Sequence, residues 1–220
     1  MVCQQRRDRE KAQRIESILE AAKKVFDSKG YLKATMNDIA LAAEVTKPTI
    51  YLYFKTKDDL FFTLMLPLID TIHEKLEGVE TGLRTGKISN GTQLITSIFK
   101  AFYEAYERLP ETFRVITLFQ QQGLMGELRP EVGDALNDRG RSNFIQHRRL
   151  LSEGMAKGMI KKENVHEMAD VIWGSFVGII QLEEAKSSGL KNKQLKENTL
   201  SLAQKLIAEA MTIKSKGTKK

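Results

Sequence analysis

Cysteine is almost missing from this chain of 220 residues: the only one, Cys3, lies in a charged N-terminal stretch. A single thiol forms no intramolecular disulfide and builds no zinc site from paired cysteines, so a reducing, cytoplasmic setting is expected. Long apolar runs are missing as well. The longest, Val171 to Leu182, falls short of the roughly 20 residues that span a bilayer, so no membrane partner is expected. Before Ile15 stand Arg6, Arg7, Arg9, Lys11 and Arg14 where a secretory signal would place its apolar core. The histidines His73, His147 and His166 lack close pairing with carboxylates or cysteines, so no metal is expected and all three read as structural or exposed. No nucleophile with its base and no phosphate loop appears either. No catalytic residue and no cofactor are assigned, and an enzyme reading survives only through scattered acids and serines that converge in space.

Enough is present to fold. Hydrophobic residues make up 41% and charged residues 29%, a balance that supports a buried core and excludes wholesale disorder. The net charge of +7 is unevenly spread. Residues 1–60 carry 12 basic and 9 acidic side chains, residues 61–204 carry 18 of each, and residues 205–220 carry 5 and 1. Basic ends around a neutral body suit contact with a polyanion, because lysine and arginine near phosphates release counterions. Solvated tails are the equal alternative for the run from Lys214 to Lys220.

Ile15, Ile18, Leu19, Ala22, Val25 and Phe26 recur at three- and four-residue steps and predict a first helix that stops at Gly30. Thr35-Met36-Asn37-Asp38 opens a second, with the Thr35 hydroxyl as cap and Asp38 at the positive helix end. Thr46 is expected to cap a third helix, from Lys47 to about Phe54, with Pro48 in its first turn. Thr56 repeats the capping pattern for a fourth helix that passes Leu60, Phe61, Leu64 and Leu68, with a kink expected at Pro67. Gly78 to Gly91 reads as a linker or loop. Helical patterning resumes over 94–106, 112–119, about 132–159, 166 to about 184, and 195–213, with no sustained two-residue alternation. The fold class is all-α.

Two short helices joined by a tight turn have the dimensions of a helix-turn-helix, whose second helix enters the DNA major groove. Ile50 and Phe54, four apart, make its buried side. Lys47, Pro48 and Tyr51 share another face, with Thr49 and Tyr53 beside it. Lysine, threonine and tyrosine there can reach base acceptors, thymine methyls or phosphate oxygens.

The ordered set Thr35-Met36-Asn37-Asp38-Ile39-Ala40, Val45-Thr46-Lys47-Pro48-Thr49-Ile50-Tyr51-Leu52-Tyr53-Phe54 and Lys57-Asp58-Asp59-Leu60 resembles the signature of the TetR (tetracycline-repressor) family. The resemblance covers about residues 10–64. It implies a homodimeric, all-helical transcriptional regulator, usually a repressor, that releases a partly palindromic DNA operator when a small molecule binds its C-terminal domain. By position, Thr35, Thr46, Tyr51, Tyr53 and Lys57 would hold phosphates, while Asn37, Lys47, Pro48 and Thr49 would lie nearest base edges. Arg6, Arg7 and Arg9 resemble the basic arm that some members lay against the minor groove, or are solubilising residues. The family usually has glycine in the turn where this sequence has Glu44, so the turn has to accept a side chain, expected to point outward.

On this reading residues 1–56 form the helix-turn-helix domain with its arm, 57–213 a helical effector-binding and dimerisation domain, and 214–220 a disordered lysine-rich tail. In the body, Met168, Val171, Ile172, Phe176, Ile179 and Ile180 make an apolar face, with Gly174 and Gly178 four apart. Leu195, Thr199, Leu202, Leu206, Ala210 and Ile213 make a second seam. The resemblance assigns Gly174, Phe176, Gly178, Leu202 and Leu206 to a dimer interface, and internal core is the alternative. Phe99, Phe102, Tyr103, Tyr106, Phe113, Phe119, Phe144 and Trp173 are the aromatic stock for an effector pocket, or ordinary core at helical spacing. A helical module that binds protein rather than DNA is the remaining class.

Overall fold

A computed structural model of the chain describes residues 2–108, 110–121, 128, 130–186 and 193–213. These form the helices α1 (Val2–Lys33), α2 (Met36–Ala42), α3 (Lys47–Tyr51), α4 (Lys57–Arg84), α5 (Gly91–Arg108), α6 (Pro110–Gln121), α7 (Pro130–Ala156), α8 (Val165–Lys186) and α9 (Lys193–Met211). The all-α class holds: the only β-type pairing among the described residues is an isolated bridge between Ile160 and Thr212. The tail at 214–220 lies outside the described residues. None of the described helices is long and apolar enough to cross a membrane.

The chain packs as two compact units. One comprises Met1–Pro67 with Glu111–Asn137, the other Leu68–Pro110 with Asp138–Lys220, so the division falls within α4 and α7. In the first unit the stripe of α1 buries Ile18, Ala22 and Phe26, and α2, α3 and the segments after it contribute Ile39, Ile50, Phe54, Leu60 and Phe61. Burial of each such side chain contributes roughly 1.5–3 kcal/mol, and this dominates the folding of helices too short to persist alone. α1 begins earlier than the stripe requires, and its break falls at the expected glycine: Gly30 has φ 74° and ψ 159°. Beyond it Tyr31 turns into the core, 4.8 Å from Phe61 between ring centroids.

α4 runs as one helix through Pro67 and on to Arg84, so the linker expected from Gly78 is shorter than it reads. Val79 and Leu83, four apart, are buried and hold the helix through this glycine-rich stretch. A Cβ on Gly82 would stand 2.8 Å from Ile88 Cδ1; the missing side chain leaves room for the loop that follows.

In the second unit α5 packs on α8 and α9, and α8 on α9. Leu94, Ile95, Ile98, Leu150, Leu151, Ile172, Phe176 and Ile180 are fully buried there. Lys161 N–H donates to Met211 O at 2.8 Å, tying the end of α9 to the turn after α7.

The aromatic joint between α1 and α4 has a polar edge. Tyr31 Oη donates to Asp58 Oδ1, and Lys57 Nζ donates to the Tyr31 carbonyl at 2.8 Å while lying 4.3 Å from the ring centroid. Burial first, and the Asp58 carboxylate second, push the phenol above its ordinary range. A hydrogen bond to a charged group contributes about 1.5–3 kcal/mol, and partial exposure places this one at the lower end. Tyr31→Phe should therefore cost about 1–2 kcal/mol in urea denaturation; a midpoint equal to wild type would show that the hydroxyl contributes nothing.

Candidate nucleic-acid interface

The second helix is set at both ends by hydrogen bonds that its sequence supplies. At the start, Asp38 N–H donates to Thr35 Oγ1 at 3.1 Å and Thr35 N–H donates to Asp38 Oδ2 at 3.1 Å, a reciprocal capping box. Lys29 Nζ reaches the other oxygen of Asp38 at 2.7 Å, and this contact, with the Thr35 hydroxyl next, holds the carboxyl below the ordinary range. The Thr35 hydroxyl also donates to Asp38, at 2.8 Å, so it is engaged within the head.

At the other end the helix stops in a Schellman motif. Glu44 N–H donates to Leu41 O at 3.2 Å and Val45 N–H to Ala40 O at 3.0 Å. Glu44 occupies the left-handed position with φ 53°, the only non-glycine residue with positive φ among those described, and its side chain is exposed. The departure from glycine noted in the sequence thus leaves the turn intact at the expense of backbone strain. Left-handed backbone costs an L-residue roughly 1–2 kcal/mol, and glycine returns about 0.5–1 kcal/mol of that as unfolded-state entropy. Glu44→Gly should raise stability by about 0.5–1 kcal/mol by chemical denaturation, and a loss of stability would contradict this account of the turn.

The third helix is shorter than expected, Lys47–Tyr51, and continues into a tight turn in which Tyr53 and Phe54 N–H both donate to Ile50 O at 2.9 Å. Thr46 does not cap it as expected: its hydroxyl pairs with that of Thr49 at 2.8 Å, and no side-chain cap bond forms. Pro48, which has no amide hydrogen, eases the lack of a cap. Ile50 and Phe54 are buried, fixing the sidedness. Lys47, Pro48 and Tyr51 are exposed together, with the Lys47 ammonium 6.0 Å from the Tyr51 ring centroid; Thr49 and Tyr53 are half-buried beside them, and Asn37 and Thr46 are exposed. Leu52, 81% exposed, was not singled out from the sequence. Its four-residue step from Pro48 was the available signal, and it offers an apolar surface of the kind that meets thymine methyls.

Lys57 sits differently from its expected role. Its ammonium is held by the Tyr31 carbonyl and ring, leaving fewer donors for a phosphate. Arg6, Arg7 and Arg9 lie exposed on the opening turns of α1, where an arm reaching a minor groove would be extended chain; Arg6 Nε pairs with Glu10 at 2.9 Å.

Residues 18–64 match the family model described as bacterial regulatory proteins, tetR family. That stretch is the helix-turn-helix head described above. It is 27% identical over 74% of its length, and over 80% of the relative's, to an uncharacterized HTH-type transcriptional regulator, YhgD, of Bacillus subtilis (strain 168). It is 31% identical to the HTH-type transcriptional activator FasR of Mycolicibacterium smegmatis, over 45% of this chain and 43% of that one. A TetR/AcrR-family regulator of Thermobifida fusca shares the fold with a TM-score of 0.65 at 20% identity, covering 89% of this chain and 97% of that one. Residues 18–64 therefore carry a DNA-binding helix-turn-helix of the tetR type, the head of a transcriptional regulator.

In the body of the regulator the aromatic residues divide. Phe102 meets Trp173 at 4.9 Å between centroids, and Trp173 meets Phe144 at 5.9 Å. Tyr103 lies 6.1 Å from Tyr106, whose hydroxyl donates to Glu184 at 2.7 Å. Phe99 is buried, Phe113 belongs to the first compact unit, and the Phe119 side chain lies outside the described residues. Of the residues assigned to a dimer interface, Gly174, Gly178, Leu202 and Leu206 are exposed. Phe176 is not. It is wholly buried within the chain, stacked 5.9 Å from Trp173, because its step from Ile172 and Ile180 places it on the core side of α8.

His147 is fully buried, edge-on to Phe102 at 5.2 Å, with no hydrogen-bond partner for Nε2. Burial, then the nearby Arg148, lowers its pKa from 6.5 to about 4. The unfolded chain takes the proton first, so the neutral ring's contribution is full above pH 6.5 and is lost as pH falls towards 4. With about 1.4 kcal/mol per unit, roughly 2 kcal/mol should be gone by pH 5. His147→Gln should flatten the dependence of stability on pH between 6.5 and 5, a window above most carboxylate titration; an unaltered slope would assign the effect elsewhere.

Proposed function

We propose that this regulator is a homodimeric repressor that reads a two-fold operator with the exposed face of α3 and releases it when a small molecule binds the body. The observation that carries the DNA reading is the sidedness of α3: Ile50 anchors it while Lys47, Pro48, Tyr51 and Leu52 face solvent together. Lys47 and Thr49 are the residues to read base edges, and Tyr51, Tyr53 and Thr46 those to hold phosphates. Asn37 lies nearby. The basic excess at the N-terminal end supplies the sequence-independent attraction.

Support for pairing comes from α8 and α9. Val171, Leu182, Leu202 and Leu206 are each at least half exposed, and Gly174 and Gly178 have no atom within 4 Å of a would-be Cβ. Apolar side chains set beside open glycines suit a second copy. A two-fold pair sets its reading helices about 34–36 Å apart, one turn of DNA. Effector binding then needs a coupling free energy of only about 1–3 kcal/mol to alter that fit. Among the described residues no group of His, Cys, Asp and Glu could hold a metal ion, and the relatives compared above carry the names of regulators.

Selection of bound fragments from random duplex DNA tests this directly. The recovered site should be a two-fold repeat, with affinity falling steeply as salt rises. Lys47→Ala and Tyr51→Ala should each weaken binding about tenfold or more, at about 1–3 kcal/mol per contact, with the thermal midpoint unchanged. Full affinity in both variants would remove α3 from the interface.

A further inference from the structure

Five side chains of the second unit close a circuit. His147 meets Phe102 at 5.2 Å, Phe102 meets Trp173 at 4.9 Å, and Trp173 meets Phe144 at 5.9 Å between centroids. The Arg148 guanidinium carbon lies 5.7 Å from the Phe144 ring centre, and Arg148 follows His147 in the chain. Phe144, His147 and Arg148 stand at i, i+3 and i+4 on α7 and so share a face. The circuit has a buried end, Phe102 and His147, and a half-exposed end, Phe144, Trp173 and Arg148.

Two polar atoms of this circuit are buried without a partner: His147 Nε2 and Arg148 Nε. An aromatic shell with two unsatisfied nitrogens is a costly way to build a core, since buried polar groups are nearly always paired. The cost is explained if a ligand supplies the partner. Arg148 Nε can only donate, and it brings a full positive charge, so the partner is an acceptor bearing negative charge. A neutral imidazole donates from one nitrogen, so His147 can supply an uncharged donor beside that charge. The edge-to-face rings around the pair favour a flat apolar body.

We propose that His147 and Arg148 form the recognition point for a small aromatic carboxylate, bound among Phe102, Phe144 and Trp173. This rests on the reading of the body as an effector domain and gives that effector a chemical class. Recognition of the carboxylate falls to Arg148, with His147 as its neutral second donor, and stacking falls to the rings.

Trp173 is the chain's single tryptophan, so the site carries its own reporter. The full-length protein is titrated with benzoate, salicylate and phenylacetate, and with benzamide and phenylacetamide as uncharged counterparts, following tryptophan emission. At least one acid should saturate the signal and bind tenfold or more tightly than its amide. Arg148→Met should weaken that acid at least tenfold. His147→Leu should weaken it too, yet leave the thermal midpoint of the free protein equal to or above wild type, because it removes an unpaired buried nitrogen. A merely structural His147 gives the opposite result, a marked fall in midpoint, and this would overturn the proposal, as would equal binding of acid and amide or no response to any acid. Operator binding is measured in parallel and separates the two claims. An acid that binds through Arg148 without releasing DNA upholds the site and removes effector control, whereas release by an uncharged compound upholds control and overturns the carboxylate.

Discussion

Two backbone hydrogen bonds at the end of α2, from Glu44 to Leu41 and from Val45 to Ala40, constrain everything the head can do. They end one helix and start the chain towards the next within a few residues, so that Ile50 falls into the core and Lys47 and Tyr51 fall outside it. The motif requires a left-handed residue, and here the strain is borne by a glutamate. A turn that retains its bonds against that strain is held by its surroundings: the capping box and the Lys29 contact fix the front of α2, and buried Ile39 fixes its middle. The exposed face of α3 is therefore positioned by α1 and α2 more than by any preference of its own five residues.

Where periodicity alone decides an element, the sequence was a sufficient guide. The stripe from Ile15 to Phe26, the stop at Gly30 and the capping of α2 by Thr35 all depend on residues a few positions apart, and all appear in the structure. The errors arose where neighbours distant in sequence decide. Gly78 and Gly82 suggest a loop, but Val79 and Leu83 have a core to enter and the helix continues. Thr46 has a capping side chain, but Thr49 offers its hydroxyl a nearer partner. The contact of the Lys57 ammonium with the carbonyl and ring of Tyr31, 26 positions away, is equally hidden from the sequence. No local pattern reports these contacts.

The body illustrates the same limit for polar groups. Its aromatic residues were all visible in the sequence, and each could have been core or lining. Phe176 resolves as core, because four-residue steps to Ile172 and Ile180 put all three on one buried side. His147 reads from the sequence only as structural or exposed, because a lone histidine at helical spacing carries no partner signal; the structure buries it edge-on to Phe102.

Stability and function divide between the two units in opposite ways. In the head, charge is used for structure: Lys29 with Asp38 and Lys57 with Tyr31 commit basic groups to holding helices together. In the body, the reverse holds at His147 Nε2 and Arg148 Nε, which are buried with no hydrogen-bond partner. Each unpaired buried donor costs about 1–3 kcal/mol, a large share of the about 5–15 kcal/mol that holds a typical fold. A sequence free to place leucine and methionine there would gain stability at once. That it keeps two such nitrogens inside an aromatic shell is the physical reason for placing the proposed ligand at that point.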